Sequence, residues 1–242
     1  MEYTEQEWNG YRWLTFSFED RQAMVLCPKT PDPQGRWLFK TEYFLAFPAF
    51  EEEMLARGFH VAWLENHSRW CLPEDIDVKP RFCDFLQKEF HLAEKCLPVG
   101  MSCGGMHAVY FAAKYPQYVA ALYLDAPVIN LLSCPCGVGT ATDEMYPEFL
   151  QHTGMTVSQL INYRNHPQDH IEELLAHRIP IFLVCGDADH VVPYCENGKI
   201  VSDMYRQHGG ILEEVLKPGV DHHPHGLEDN APLIQFALQY YK

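Results

Sequence analysis

The sequence has little positive charge. Among its 242 residues, lysine and arginine total 18 and aspartate and glutamate total 33, which gives a net charge of −15 with histidine neutral. A chain with this charge repels phosphate backbones and anionic membrane surfaces. We therefore expect neither a nucleic acid nor a membrane as a partner.

Signals for export and for membrane insertion are also missing. Residues 1–7 are acidic and lack the basic start and apolar run of a signal peptide, and no uninterrupted apolar segment reaches membrane-spanning length. The nine cysteines are an odd number with mostly apolar neighbours, which favours reduced, buried thiols over a disulfide framework. These features predict a cytoplasmic protein.

The sequence contains ample apolar material for a core, because 47% of the residues are hydrophobic and no stretch is of low complexity. Strand-like runs at 11–18 and 22–27 predict a hairpin. Predicted helices at 44–57, 78–90, 103–114, 198–208 and 232–241 then alternate with predicted strands at 59–64, 97–101, 118–124, 179–185 and 211–216. We predict one α/β domain of residues 1–242, with a mainly parallel central sheet, helices on both faces, and 134–178 as a small insertion over its carboxyl edge.

Residues 100–104, with the sequence Gly-Met-Ser-Cys-Gly, lie between a predicted strand and a predicted helix, as a G-x-S-x-G nucleophile elbow requires. Serine on this sharp turn is strained, and the two glycines let strand and helix pass closely. We predict that Ser102 is a nucleophile and that the Cys103 amide, at a helix N-terminus, stabilises an oxyanion. The alternative is a turn that only joins strand to helix. Pro98 lacks an N–H, which predicts a bulge before the elbow.

A serine nucleophile needs an imidazole to accept its proton and a carboxylate to orient that imidazole. Both residue types follow later predicted strands, whose carboxyl ends meet at one edge of a parallel sheet. The candidate acids are Asp125, Asp187 and Asp189, and the candidate bases are His222, His223 and His225.

The elbow, the acid loop G-x-x-D-x-x-V-P at 186–193 and the late histidine together resemble an α/β-hydrolase from about residue 11 to the end. The resemblance implies that Ser102 is the nucleophile, Asp189 the acid and His222 the base. His225 is the main rival for the base and Asp125 for the acid. Residues 221–227 resemble the carbohydrate-esterase-like and dienelactone-hydrolase-like branches.

In this superfamily a second oxyanion amide comes from the loop after the strand that precedes the first crossover helix. We expect that loop to begin at Cys27, which makes Lys29 the nearest donor because Pro28 has no N–H. An amide near residues 37–40 is the alternative. We expect the Cys103 thiol to be buried rather than catalytic.

A metal site is an alternative interpretation of two histidine clusters, one at 221–225 and the other formed by His166 and His170. Neither cluster matches H-E-x-x-H, and the Cys134-Pro135-Cys136 segment has no second cysteine pair to complete four ligands. We therefore expect no metal and no cofactor.

The resemblance implies acyl transfer to water by a serine esterase acting on a small-molecule ester. The short insertion favours small acyl groups, such as acetate on a sugar. Two alternatives remain open. One is a peptidase resembling the catalytic domain of prolyl oligopeptidases, and the other is a hydrolase-shaped binding protein without activity.

Overall fold

One nine-stranded sheet runs through the computed structural model, which describes residues 2–242. Its spatial order is β1-β2-β3-β5-β4-β6-β7-β8-β9. The first four strands of that order pair antiparallel and the other pairs are parallel. The strands are β1 (Thr4–Trp8), β2 (Tyr11–Phe18), β3 (Arg21–Cys27), β4 (Trp37–Lys40), β5 (His60–Leu64), β6 (Leu97–Met101), β7 (Leu122–Asp125), β8 (Ile181–Gly186) and β9 (Leu212–Lys217).

Helices cover both faces of the sheet, which confirms the predicted α/β-hydrolase architecture. They are α1 (Ala49–Ala56), α2 (Pro73–Asp77), α3 (Lys79–Phe90), α4 (Cys103–Lys114), α5 (Tyr146–Thr153), α6 (Val157–Ile161), α7 (Ile171–Ala176), α8 (Gly198–Gln207) and α9 (Ala231–Tyr240). Helices α3, α4 and α8 bury apolar side chains on one face, and α1 and α9 do so on the other. Among residues 2–242, no helix combines the length and apolar character that crossing a bilayer requires.

The structure corrects the predictions around residue 40. Strand β4 was not expected, yet it is buried along its whole length between β5 and β6. The helix predicted over 44–57 begins only at Ala49. Tyr43, Leu45 and Phe47 have φ values of 53°, 65° and 49°, a left-handed conformation that interrupts any helix. For Phe47, the following proline also disfavours helical geometry.

The ladder is irregular beside Pro98. Toward β4 the register is continuous, with Phe39 opposite Pro98. Toward β7 the pairing shifts by one residue between the Cys96–Val119 bridge and the Val99–Tyr123 pair. The bulge expected from the missing amide is therefore present, but its extra residue lies on the neighbouring segment.

The segment between β7 and β8 leaves the sheet and forms α5, α6 and α7. A third apolar cluster joins it to α4 and to the loop after β5, through side chains that include Trp70, Met106, Phe149 and Leu160. Arg69 Nε also donates to Glu148 Oε1 at 2.8 Å. The segment therefore covers the carboxyl edge of the sheet.

Candidate active site

Ser102 occupies the sharp turn between β6 and α4. Its backbone has φ 51° and ψ −120°, a conformation that is costly for a residue with a side chain. Three backbone bonds hold it there. The Ser102 amide donates to Asp125 O at 2.9 Å, and its carbonyl accepts from Gly105 N at 2.9 Å and Val128 N at 3.0 Å.

The glycines around Ser102 permit this turn. A Cβ on Gly100 would lie 2.6 Å from the Gly104 carbonyl oxygen, and one on Gly105 would lie 2.4 Å from Pro127 Cβ. A Cβ on Gly104 would meet nothing closer than Glu42 Cβ at 3.1 Å. Close packing therefore requires Gly100 and Gly105 most strictly, and the sequence motif did not include Gly105.

The structure brings Ser102, His222 and Asp189 together. His222 Nε2 lies 3.0 Å from Ser102 Oγ, and His222 Nδ1 lies 2.8 Å from Asp189 Oδ2. The other oxygen of Asp189 accepts from the amides of Val191 at 2.9 Å and Val192 at 2.7 Å. This geometry lets the carboxylate hold a proton on Nδ1 and leaves Nε2 able to accept the serine proton.

The rival residues pair with one another beside this group. His225 Nδ1 lies 2.7 Å from Asp125 Oδ1, and both residues are buried. Asp125 Oδ2 accepts from Tyr123 Oη at 2.8 Å and from Gly226 N at 2.6 Å. The rings of His225 and His222 are 4.8 Å apart between centroids. The chain thus contains a second buried His–Asp pair, which sequence reasoning did not foresee.

The remaining candidates lie elsewhere. Asp187 is exposed and accepts from Gly219 N at 2.6 Å, as a turn residue does. Backbone groups engage both ring nitrogens of His166, and His170 Nε2 lies 2.5 Å from Asn165 Oδ1. Cys134 and Cys136, at the start of the insertion, are buried in the third apolar cluster. All nine cysteines are free.

Cys103 is the first residue of α4, so its amide has no partner within the helix. Its side chain is fully buried beneath the insertion. Burial raises the pKa of the Cys103 thiol to about 11. A neutral, inaccessible thiol is a poor nucleophile, so the Cys103 side chain is not a rival of Ser102.

The prediction that Lys29 supplies the second oxyanion amide is wrong. Strand β3 runs antiparallel to β5, so its end at Cys27 lies at the amino edge of the parallel strands, away from Ser102. Lys29 is exposed, and its Nζ lies 5.5 Å from the centre of the Tyr11 ring. Strand direction is a property of long-range pairing that the sequence of this loop does not reveal.

The loop beside the nucleophile follows β4 instead. Thr41 Oγ1 donates to Gly104 O at 2.7 Å, and the Thr41 amide donates to Val99 O at 3.1 Å. These bonds fasten the loop to β6 and to the first turn of α4. The next two amides, of Glu42 and Tyr43, are therefore the candidates for the second oxyanion donor.

A buried polar network supports this loop. Asn66 Nδ2 donates to Thr41 O at 2.7 Å and to Glu42 Oε2 at 2.6 Å. Lys79 Nζ donates to Asn66 Oδ1 at 2.6 Å and to Asp75 O at 2.8 Å. Burial raises the pKa of Glu42 and lowers the pKa of Lys79 to about 8. The loop after β5 is thus largely structural.

A sequence signal for this network existed. Lys79 shares one face of α3 with the buried Phe82, Cys83 and Leu86, at the helical spacing of three, four and seven residues. A charged residue on an apolar face is rarely buried without a partner. That spacing predicts a buried polar partner, although it does not identify Asn66.

Comparisons with known proteins agree with this fold. Residues 56–242 match the sequence model of the prolyl oligopeptidase family. The structure is similar to a Pyrococcus horikoshii acylaminoacyl peptidase (13% identity, TM-score 0.69, 91% of this chain and 38% of that one). It is also similar to a puromycin-hydrolysing peptidase of Mycobacterium tuberculosis (13% identity, TM-score 0.70, 91% of this chain and 36% of that one). A third similar structure is an S-formylglutathione hydrolase of Agrobacterium tumefaciens (14% identity, TM-score 0.65, 92% of each chain). The chain spans little more than a third of either peptidase.

Proposed function

The chain belongs to the prolyl oligopeptidase family of α/β-hydrolase serine hydrolases, and we propose that it cleaves carboxylic esters through an acyl-enzyme. Ser102 is the nucleophile, His222 the general base and Asp189 the acid that orients His222. The observation that carries the proposal is the continuous hydrogen-bonded chain from Ser102 Oγ through the His222 ring to the Asp189 carboxylate.

In the first half of the reaction, Ser102 Oγ attacks the ester carbonyl carbon as His222 Nε2 takes the hydroxyl proton. The carbonyl oxygen becomes an oxyanion, and His222 then protonates the leaving alkoxide as the C–O bond breaks. In the second half, water attacks the acyl-enzyme with His222 again as the base. Ser102 recovers its proton when the acid leaves.

The oxyanion requires donors that are in place before charge develops. The Cys103 amide is one donor, and the α4 N-terminus adds a favourable dipole. The second donor is the amide of Glu42 or Tyr43, on the loop that Thr41 and Asn66 hold against α4. No cofactor takes part in this mechanism.

We propose short acyl groups, such as acetyl, as the preferred substrates. The covering helices α5, α6 and α7 contain only eight, five and six residues. An apolar cavity of about 570 Å³ does lie under them, between Trp70, Met106 and Phe149, but none of the three proposed catalytic residues lines it. A long acyl chain would need to reach that separate cavity.

The test compares p-nitrophenyl acetate with p-nitrophenyl decanoate on the purified protein, with Ser102→Ala as the background control. We expect a higher kcat/KM for the acetate ester, because an acetyl group needs no further pocket. A higher kcat/KM for the decanoate ester would contradict the short-acyl proposal and indicate that the acyl chain uses the apolar cavity.

Peptidase activity is the second candidate, and the family match favours it. The test separates peptidase from esterase activity by comparing two amides with one ester. The amides are alanine p-nitroanilide and N-acetylalanine p-nitroanilide, and the ester is p-nitrophenyl acetate. We expect the ester to be the better substrate. An amide kcat/KM above that of the ester would favour the peptidase.

A further inference from the structure

Three imidazoles meet at the mouth of the site. The rings of His222, His223 and His225 lie 4.8 to 5.0 Å apart between centroids. One ring nitrogen from each lies within 4.8 Å of the other two. His222 and His225 are buried while His223 is exposed, so solvent reaches the cluster from one side.

His225 is oriented as a ligand. Asp125 Oδ1 lies 2.7 Å from His225 Nδ1, and a carboxylate in this position keeps the proton on Nδ1. The lone pair on His225 Nε2 then remains free. Tyr123 and Gly226 donate to the other Asp125 oxygen and fix the carboxylate. Metal-binding histidines commonly have such a carboxylate behind them.

His223 supplies a movable ligand. Its ring stacks on Phe47 with 5.5 Å between centroids, and it is the exposed member of the cluster.

We propose that His222, His223 and His225 form an inhibitory binding site for a divalent zinc ion. Three imidazoles and one water would complete a tetrahedral shell, with nitrogens roughly 3.4 Å apart. In the structure the ring nitrogens lie within 4.8 Å of one another. Rotation of the exposed His223 ring can bring its nitrogen closer to the other two. The proposed inhibition, though not the binding itself, rests on the proposed catalytic function.

Zinc and catalysis compete for one nitrogen. In the resting site His222 Nε2 lies 3.0 Å from Ser102 Oγ. When zinc accepts the Nε2 lone pair, this nitrogen can no longer take the serine proton, and Ser102 stays a neutral hydroxyl. No bond to substrate forms, and a chelator restores the base.

The test measures zinc binding by titration calorimetry and zinc inhibition of p-nitrophenyl acetate hydrolysis on the purified protein. We expect one zinc per chain and inhibition that EDTA reverses. His223→Ala, measured against its own rate without zinc, should raise the inhibition constant by about 10 to 100-fold, since it removes a ligand. His208→Ala, another exposed histidine, is the matched control and should change neither value.

Ser102→Ala separates the metal site from the proposed function. This variant should not hydrolyse ester but should bind zinc at least as tightly as the original chain, because His222 Nε2 loses a competing partner. Absence of a one-to-one zinc complex, or equal inhibition in His223→Ala, would overturn the metal site. Zinc binding that His223→Ala abolishes, in a protein without esterase activity, would instead overturn only the proposed function.

Discussion

Replacing Ser102 or His222 with alanine is expected to lower the turnover of p-nitrophenyl acetate by roughly 10⁴ to 10⁶, since these two residues act as one unit. Without the hydroxyl no acyl-enzyme forms, and without the imidazole the hydroxyl keeps its proton. Asp189→Ala should cost less, because the imidazole base itself remains although the carboxylate that orients it is lost. Turnover numbers of the purified variants measure the effect, and circular dichroism checks that each is folded.

His225→Ala is the matched control for His222→Ala. It removes another buried imidazole that is paired with a carboxylate, but this ring bonds Asp125 rather than Ser102. We expect a much smaller loss of turnover. If His225→Ala abolished activity and His222→Ala did not, the assignment of the base would be wrong.

A fluorophosphonate probe tests the nucleophile independently of any substrate. We expect covalent labelling of the original chain and none of Ser102→Ala. A folded protein that resists the probe altogether would be better described as a hydrolase-shaped binding protein.

The nucleophile elbow could be predicted because its structure depends only on residues that are neighbours in the sequence. Turn, strand and helix are contiguous from Leu97 to Lys114, and the structure ends both elements where the sequence pattern does. The strained serine and the glycine at position 100 are requirements of that short segment alone. The spacing of the acid loop, at 186–193, carries the same kind of local information.

The features that the sequence does not predict correctly depend on pairing between residues far apart in the chain. Strand β4 is four residues long and lies between β5 and β6, which come later in the sequence. Without β4, the sequence pattern predicts that the loop after β3 is the oxyanion loop, which places Lys29 at the wrong edge of the sheet. The pairing of His225 with Asp125 joins residues a hundred positions apart, and no pattern in the sequence links them.

Stability should depend strongly on Asp75, a buried carboxylate in α2. Arg21 Nη1 donates to Asp75 Oδ1 at 2.5 Å, and the amides of His67, Ser68 and Leu72 donate at 2.7, 3.2 and 3.1 Å. The Arg21 side chain is only 2% exposed. We expect Asp75→Ala to lower the free energy of unfolding by about 3 to 5 kcal/mol, because it removes the buried counter-charge of the Arg21 guanidinium and leaves it only the exposed Asp20 at 3.8 Å.

Urea unfolding monitored by tryptophan fluorescence measures this change. Asp77→Ala is the control, since Asp77 lies on the same helix and pairs with Lys114, but its side chain is 45% exposed. We expect that variant to lose less than about 1 kcal/mol. Equal losses in the two variants would contradict a special role for the buried pair.

The contacts of Asp75 also make its contribution to the free energy of unfolding depend on pH. Burial alone would raise the pKa of Asp75, but the hydrogen bonds from Arg21 and the His67 amide outweigh it and lower the pKa overall. Stabilisation by a carboxylate with a lowered pKa is complete above the unfolded pKa of about 3.9 and is lost as the pH falls toward the folded value. The difference between the original chain and Asp75→Ala should therefore be constant near neutral pH and shrink below about pH 4. A difference that stays unchanged well below that pH would mean that packing, rather than the charge of Asp75, stabilises the loop behind the candidate site.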